Sequence, residues 1–250
     1  MLGVVRVSYR AFLFPAPRWE AGAAPQGARA VEWGAADGTP VRALLYPAAG
    51  GGVTMVHFHG NRETMESMAP LAGELHRRGI GVLLVEYRGY GASPGAPSEE
   101  GLYQDAAAAL DGLAAEGVPA ARVVLWGTSL GTGVAAEMAA RGRGGALILV
   151  SPYTSIPRMV KRFAPFVPEG IIPDRFATLE KAGAVRVPTL VIHGDQDELI
   201  PYAMGQEVAG AIRGAELLTV AGAGHNVLFA LGRNSLIEVL TAHARRAGGE

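Results

Sequence analysis

The sequence predicts an α/β fold in which a mostly parallel central sheet is covered by helices on both faces. Two observations predict it. Short continuous apolar runs, typical of strands buried on both sides, alternate along the chain with amphipathic stretches typical of helices. Hydrophobic residues make up 49% of the 250 positions, which is enough for a large core. We therefore expect residues 1–250 to form one domain.

The predicted elements follow in order along the chain. Residues 31–47 are typical of a hairpin with Asp37-Gly38 at its turn. Apolar runs predict strands at 53–60, 81–89, 122–127, 145–152, 187–194 and 215–222. Helical periodicity predicts helices at 63–79, 98–117, 130–142, 203–214 and 226–246, with Ser98 capping the second of them.

Composition excludes several classes of function. The formal net charge of −1 provides no global attraction to nucleic acid or to an anionic membrane. The absence of cysteine excludes disulfides, thiolate metal sites and a cysteine nucleophile. The N-terminus lacks a long apolar segment and contains Arg6 and Arg10, so we expect no secretory signal. No run reaches the length of a membrane span. We expect a cytoplasmic protein without integral membrane association.

A serine within the pattern G-x-S-x-G is typical of a nucleophile on a sharp strand-to-helix turn, and the pattern occurs twice. Ser129, in GTSLG, follows the apolar run VVLW and precedes a predicted helix. Ser93, in GYGASPG, lies in a stretch rich in glycine and proline that is typical of a loop. In such sites the residue after the serine donates its backbone N–H to an oxyanion; Leu130 has this N–H, whereas Pro94 has none. Ser129 is therefore the candidate nucleophile.

A serine nucleophile needs a base, and the base needs an orienting acid. Both are expected at the ends of later strands. The loop after the strand at 187–194 offers Asp195 and Asp197, and the loop after the last strand offers His225. The other histidines lie before the serine, within helices or before the acid loop, so His225 is the candidate base.

The connection at 153–186 is long and contains four prolines. Long connections of this kind are often lids or binding elements, although an extra helical pair packed on the sheet fits the pattern equally well. We interpret it as a short cap whose apolar side chains contact the substrate. The candidate substrate-binding residues are Tyr153, Ile156, Met159 and Phe163.

Five stretches together resemble the α/β-hydrolase superfamily over about residues 30–247, namely HFHGN, YRGYGASPG, GTSLG, HGDQDELIP and GAGHN. EYRGYGASPGAPSEEGLYQDAAAAL and SPYTS are especially similar to the serine-aminopeptidase-like hydrolases that include eukaryotic protein depalmitoylases. The membrane-targeted depalmitoylases carry an N-terminal cysteine cluster, which this chain lacks.

The resemblance implies a role for further residues. In the family pattern H-G-x-x-D the acid is the second aspartate, Asp197, and Asp195 shapes the turn. The oxyanion donors are the backbone N–H groups of Asn61 and Leu130. We expect hydrolysis of carboxylic esters, without metal or cofactor, on a small-molecule ester substrate, and the short cap predicts small or medium acyl chains. Amide, peptide or thioester hydrolysis is the alternative, and a catalytically silent binding module is a further one.

Overall fold

The computed structural model describes residues 9–11, 13–18, 22–226 and 233–248. In this part of the chain, the strands form one eight-stranded sheet in the order β1-β2-β4-β3-β5-β6-β7-β8. β2 pairs antiparallel with both β1 and β4, and every later pairing is parallel. The strands are Arg29–Gly34 (β1), Pro40–Tyr46 (β2), Thr54–Phe58 (β3), Gly81–Glu86 (β4), Val123–Thr128 (β5), Ala146–Val150 (β6), Thr189–Gly194 (β7) and Glu216–Val220 (β8).

Helices connect the parallel strands and cover both faces of the sheet, as the alternating pattern predicts. The helices are Met65–Arg77 (α1), Glu99–Ala115 (α2), Leu130–Ala140 (α3), Ile156–Phe163 (α4), Thr178–Ala182 (α5), Tyr202–Ala211 (α6) and Arg233–Gly248 (α7). The start of the predicted helix at 226–246 is not tested, because residues 227–232 lie outside the described residues. So does most of the N-terminal stretch that bears on a secretory signal.

The sheet separates two apolar cores, because successive strand side chains point to opposite faces. In β5, Leu125 belongs to the core that includes residues of α2, α3 and α6, whereas Val124 and Trp126 belong to the core that includes residues of α1 and α7. The same alternation recurs in β6, where Leu147 faces the first core. Burying each such side chain stabilises the fold by about 1.5–3 kcal/mol. This two-sided burial explains why the strands are continuous apolar runs.

Local signals predicted from the sequence are confirmed where the structure describes them. The Asp37 carboxylate accepts a hydrogen bond from the Thr39 N–H in the β1–β2 turn, at 3.0 Å. The Ser98 hydroxyl accepts one from the Gly101 N–H and caps α2. The strand predicted at 81–89 ends at Glu86. The chain turns after it, because the Tyr90 N–H donates to the Tyr87 carbonyl oxygen instead of to a neighbouring strand.

The connection from β6 to β7 contains α4, a short 3-10 turn at Glu169–Ile171, and α5. Phe176 is fully buried in the core, whereas Phe163, Phe166 and Ile171 are exposed. The Ser155 hydroxyl accepts a hydrogen bond from the Arg158 N–H and caps α4. Tyr153 and Ile156 are also buried, so the segment has both ends anchored in the core and a middle part that presents apolar side chains to solvent.

All the predicted site loops leave the sheet at the same edge, because the carboxyl ends of parallel strands meet there. The chain passes directly from β3 to His59, from β5 to Ser129, from β7 to Asp195 and from β8 to the loop that carries His225. Across the described ranges, no helix combines the length and the apolar character needed to cross a bilayer.

Candidate active site

Ser129 lies on a tight turn between β5 and α3. Its backbone has φ 50° and ψ −115°, a conformation that L-residues rarely adopt. The turn is possible because the flanking glycines have no side chain. A Cβ on Gly127 would lie 2.4 Å from the Gly131 carbonyl oxygen, and one on Gly131 would lie 1.9 Å from that of Phe58. The glycines of GTSLG are thus required by close backbone approach, and the half-buried Ser129 hydroxyl stands at the start of a helix.

The structure brings together the serine, the histidine and one aspartate that the sequence singled out. The Ser129 Oγ lies 3.1 Å from the His225 Nε2, and the His225 Nδ1 lies 2.8 Å from the Asp197 Oδ2. The Asp197 side chain is fully buried, whereas 18% of the His225 side chain is exposed. Because a carboxylate only accepts, the Nδ1 atom of His225 carries the hydrogen and Nε2 is free to accept the serine proton.

Asp197 is held as an ionised carboxylate. Burial alone would raise its pKa, but hydrogen bonds from His193, His225 and the Ile200 N–H outweigh burial and hold the pKa well below its ordinary value. Its Oδ1 atom accepts from the backbone N–H groups of Leu199 and Ile200, at 2.9 and 2.8 Å. This leaves the Oδ2 atom for His225 and sets the orientation of the imidazole.

The two rival candidates, Asp195 and Ser93, have different surroundings. The Asp195 carboxylate accepts from the Gly222 N–H at 2.7 Å and joins the loops after β7 and β8. Ser93 is fully buried, and its hydroxyl has no hydrogen-bond partner in the described residues. Neither side chain is within hydrogen-bonding distance of His225 there, so the geometry favours Asp197 and Ser129.

The two predicted oxyanion donors belong to two segments next to Ser129, the start of α3 and the loop after β3. Leu130 is the first residue of α3, so its N–H has no acceptor within the helix. Asn61 belongs to the HGN loop, which comprises His59, Gly60 and Asn61 after β3. A Cβ on Gly60 would lie 3.3 Å from the Ser129 Cβ, so this loop passes directly beside the serine. Both N–H groups are expected to lie near the reacting carbonyl.

The four predicted substrate-binding residues occupy different environments. Tyr153 and Ile156 are buried in the core, and the Tyr153 hydroxyl donates to the Leu130 carbonyl oxygen at 3.1 Å. Met159 is half-buried against the same core. Phe163 is 57% exposed. Tyr153 thus supports the turn that carries Ser129, and the contact of all four residues with substrate stays a prediction.

Several polar residues around the site were not assigned a role from the sequence. The His193 Nε2 lies 3.0 Å from the Ile200 carbonyl oxygen and 3.3 Å from the Asp197 Oδ2. The Tyr90 hydroxyl donates to the Asn61 side-chain oxygen at 2.8 Å. Both residues lie in stretches that carry the family resemblance, but their partners are set by tertiary contacts. In the described ranges, no three His, Asp or Glu side chains are arranged to hold a metal ion.

Comparisons with known proteins identify the family of this chain. The family model described as "Serine aminopeptidase, S33" matches residues 53–176, and the one described as "TAP-like protein" matches residues 172–242. An uncharacterized protein from Mycobacterium tuberculosis is 36% identical over 195 residues, which cover 76% of this chain and 69% of the relative. The human alpha/beta hydrolase domain-containing protein 17B is 35% identical over 176 residues, 69% of this chain and 60% of that protein. The chain belongs to the α/β-hydrolase superfamily.

Solved α/β-hydrolase structures confirm the predicted fold. An esterase from Pyrococcus furiosus superposes with a TM-score of 0.77 over 93% of this chain and 97% of the esterase. The two sequences are 16% identical, so this likeness concerns the fold alone. Within the α/β-hydrolases, residues 53–176 are similar to the serine aminopeptidases.

Proposed function

We propose that this α/β-hydrolase is a serine hydrolase that cleaves carboxylic esters of small or medium acyl chains. The observation that supports it most is the unbroken hydrogen-bonded line from the Ser129 hydroxyl through His225 to the Asp197 carboxylate, at 3.1 and 2.8 Å. A nucleophile, a base and an orienting acid in this relation are the constellation that acyl transfer through serine requires.

The first half of the reaction acylates Ser129. The Ser129 Oγ attacks the ester carbonyl carbon while the His225 Nε2 takes the hydroxyl proton. The carbonyl oxygen becomes an oxyanion, which the N–H groups of Asn61 and Leu130 stabilise together with the N-terminus of α3. When the tetrahedral intermediate collapses, the bond to the alcohol oxygen breaks and His225 returns its proton to that oxygen. Asp197 stabilises the imidazolium throughout.

The second half releases the acid. His225 takes a proton from water as the water oxygen attacks the acyl carbon, and a second oxyanion forms in the same position. Collapse of this intermediate breaks the bond to the Ser129 Oγ, which regains a proton from His225. The net reaction consumes one ester and one water and forms one carboxylic acid and one alcohol.

A panel of leaving groups tests the proposal. The purified protein is given an ester, a thioester and an anilide with the same acyl group, because all three reactions can use the same three residues. We expect kcat/KM to be highest for the ester. A higher value for the thioester or the anilide would assign a different substrate class to the site, and no turnover of any of them would favour a binding module.

The activity is expected to depend on one ionisation on the acid side. His225 must be neutral to accept the serine proton, so kcat/KM rises with pH as the imidazolium loses its proton. Asp197 adds no second ionisation in this range, because its pKa lies well below the ordinary value and it stays ionised. A kcat/KM profile measured from about pH 5 to 9 checks this. A flat profile would contradict a role of His225 as base.

The acyl-chain preference is expected to depend on the segment 153–186, which we propose as a cap. Each buried methylene contributes about 0.8 kcal/mol, so affinity rises with acyl length until the cleft is full. Prolines in the segment restrict its backbone, so it should not open as a large flap. For p-nitrophenyl esters we expect kcat/KM to peak at short to medium chains and to fall for long ones.

Two phenylalanines of this segment allow a matched test. Phe163 is 57% exposed at the end of α4 and is predicted to contact the acyl chain. Phe163→Ala is therefore expected to move the optimum acyl length. Phe166→Ala, at a residue that is 84% exposed, serves as the control and should leave the optimum unchanged. A peak at palmitate in the wild type, or the same optimum in wild type and Phe163→Ala, would contradict the cap as the wall of the acyl site.

A further inference from the structure

The HGN loop, which carries the proposed oxyanion donor Asn61, is held by polar contacts on both sides of Gly60. The Gly60 N–H donates to the Glu63 carboxylate at 2.7 Å. The Gly60 carbonyl oxygen lies 2.8 Å from the His59 Nδ1, which must carry the hydrogen because a carbonyl only accepts. In a trans peptide the C=O and N–H point in opposite directions, so the Asn61 N–H points away from the His59 ring.

The Asn61 side chain is held at both of its polar atoms. Its Nδ2 atom donates to the Leu13 carbonyl oxygen at 2.8 Å, and its Oδ1 atom accepts from the Tyr90 hydroxyl at 2.8 Å. The chain then bends sharply at Arg62, which has φ 61°. Because both polar atoms of the side chain are held, the Asn61 backbone has little freedom to turn its N–H away from the proposed oxyanion.

Tyr90 is suited to hold this contact. Its side chain is fully buried, its ring packs edge-on to His59 at 4.9 Å, and the turn of the GYGASPG loop closes around it through the Ser93 N–H and the Tyr90 carbonyl oxygen. A buried hydroxyl that loses its acceptor is left unsatisfied at a cost, so the contact with Asn61 is favoured over other orientations.

We infer that Tyr90 is a positioning residue of the oxyanion hole, which acts through its hydrogen bond to the Asn61 side chain. The inference rests on the proposed function of Ser129 and Asn61. It assigns a role to the GYGASPG loop, whose own serine is not within reach of His225 in the described residues. It also assigns a role to the side chain of Asn61, of which the proposed mechanism uses only the backbone.

The neighbouring Tyr87 is a matched control. Its side chain is also fully buried and its ring packs on His59, at 4.2 Å, but its hydroxyl has no hydrogen-bond partner in the described residues. Tyr87→Phe and Tyr90→Phe therefore remove the same atom from the same aromatic cluster and keep the ring. Only Tyr90→Phe removes a contact with the HGN loop.

The first test is the kinetics of the two variants on an ester substrate. Loss of an entire oxyanion donor lowers kcat by about 10²- to 10³-fold, and we expect misplacement of one donor in Tyr90→Phe to lower kcat by about 10-fold with KM within about twofold. Affinity for a trifluoromethyl ketone, whose adduct with Ser129 carries the oxyanion, should fall by a similar factor. Tyr87→Phe should match the wild type in all three quantities.

A double-mutant cycle asks whether Tyr90 acts through Asn61. Asn61→Ala removes the side chain that Tyr90 holds and keeps the backbone N–H. If the inference is right, adding Tyr90→Phe to Asn61→Ala lowers kcat no further. A purely structural role of the hydroxyl would instead make the two losses multiply.

The outcomes separate this inference from the proposed function. Unchanged kcat in Tyr90→Phe, equal losses in Tyr87→Phe and Tyr90→Phe, or losses that multiply in the cycle would each overturn the role of Tyr90 while wild-type turnover leaves the proposed function standing. Wild-type protein that turns over no ester and is not labelled by a fluorophosphonate would overturn both.

Discussion

Replacing Ser129 with alanine is expected to lower kcat by at least about 10⁴-fold, because the attacking oxygen is removed. The fold should persist, since the Ser129 side chain makes no capping hydrogen bond to α3. Measuring kcat for ester hydrolysis, with the thermal midpoint as a check on folding, tests the assignment.

Ser93→Ala is the matched control for the second G-x-S-x-G. Its hydroxyl is buried without a hydrogen-bond partner in the described residues, so its loss should leave kcat within about twofold. Activity that survives in Ser129→Ala and disappears in a well-folded Ser93→Ala would show that the elbow has been assigned to the wrong serine.

Asp197→Asn is expected to lower kcat by about 10³- to 10⁴-fold without unfolding the protein. Two backbone N–H groups, from Leu199 and Ile200, hold the Oδ1 atom, so the amide oxygen of the variant should stay there. The NH₂ group then faces the His225 Nδ1 and donates to it. The imidazole hydrogen moves to Nε2, which can no longer accept the proton of Ser129.

Asp195→Asn is the control for the acid. This residue lies two positions earlier and its carboxylate accepts from the Gly222 N–H. An asparagine oxygen can keep that contact, so we expect a small loss of stability and kcat within a few fold of wild type, about a threefold change at most. The prediction is checked by kcat and thermal unfolding of both variants. A larger kcat loss in Asp195→Asn than in Asp197→Asn would reverse the assignment.

The sheet and the loops that meet at its carboxyl edge could be predicted because they follow from periodicity. Apolar runs buried on both faces, such as Val123–Thr128, leave few alternatives to a parallel sheet, and the loop after each strand is then brought to one edge. The same reasoning singled out Ser129 and His225. The ends of the strands are less well predicted. The predicted strand runs on to Gly89, although the chain has already turned at Tyr87.

Side-chain direction could not be predicted from the same patterns. Asp195 and Asp197 both follow β7, and their contacts in the folded chain distinguish them: Asp197 bonds to His225, whereas Asp195 accepts from the Gly222 N–H. Tyr153 is predicted to contact the substrate, and the sequence does not reveal that its hydroxyl also donates to the Leu130 carbonyl oxygen. The hydrogen-bond partner of Tyr90, Asn61, is 29 positions away in the chain, so local sequence patterns do not predict this contact.

The most direct test of Ser129 as the nucleophile is to identify the residue that a fluorophosphonate modifies. The wild-type protein is incubated with the probe, digested, and the peptide that carries the adduct is sequenced by mass spectrometry. We expect a single adduct on Ser129, lost when His225 is replaced. An adduct on Ser93 or another serine, or no adduct on active protein, would contradict it.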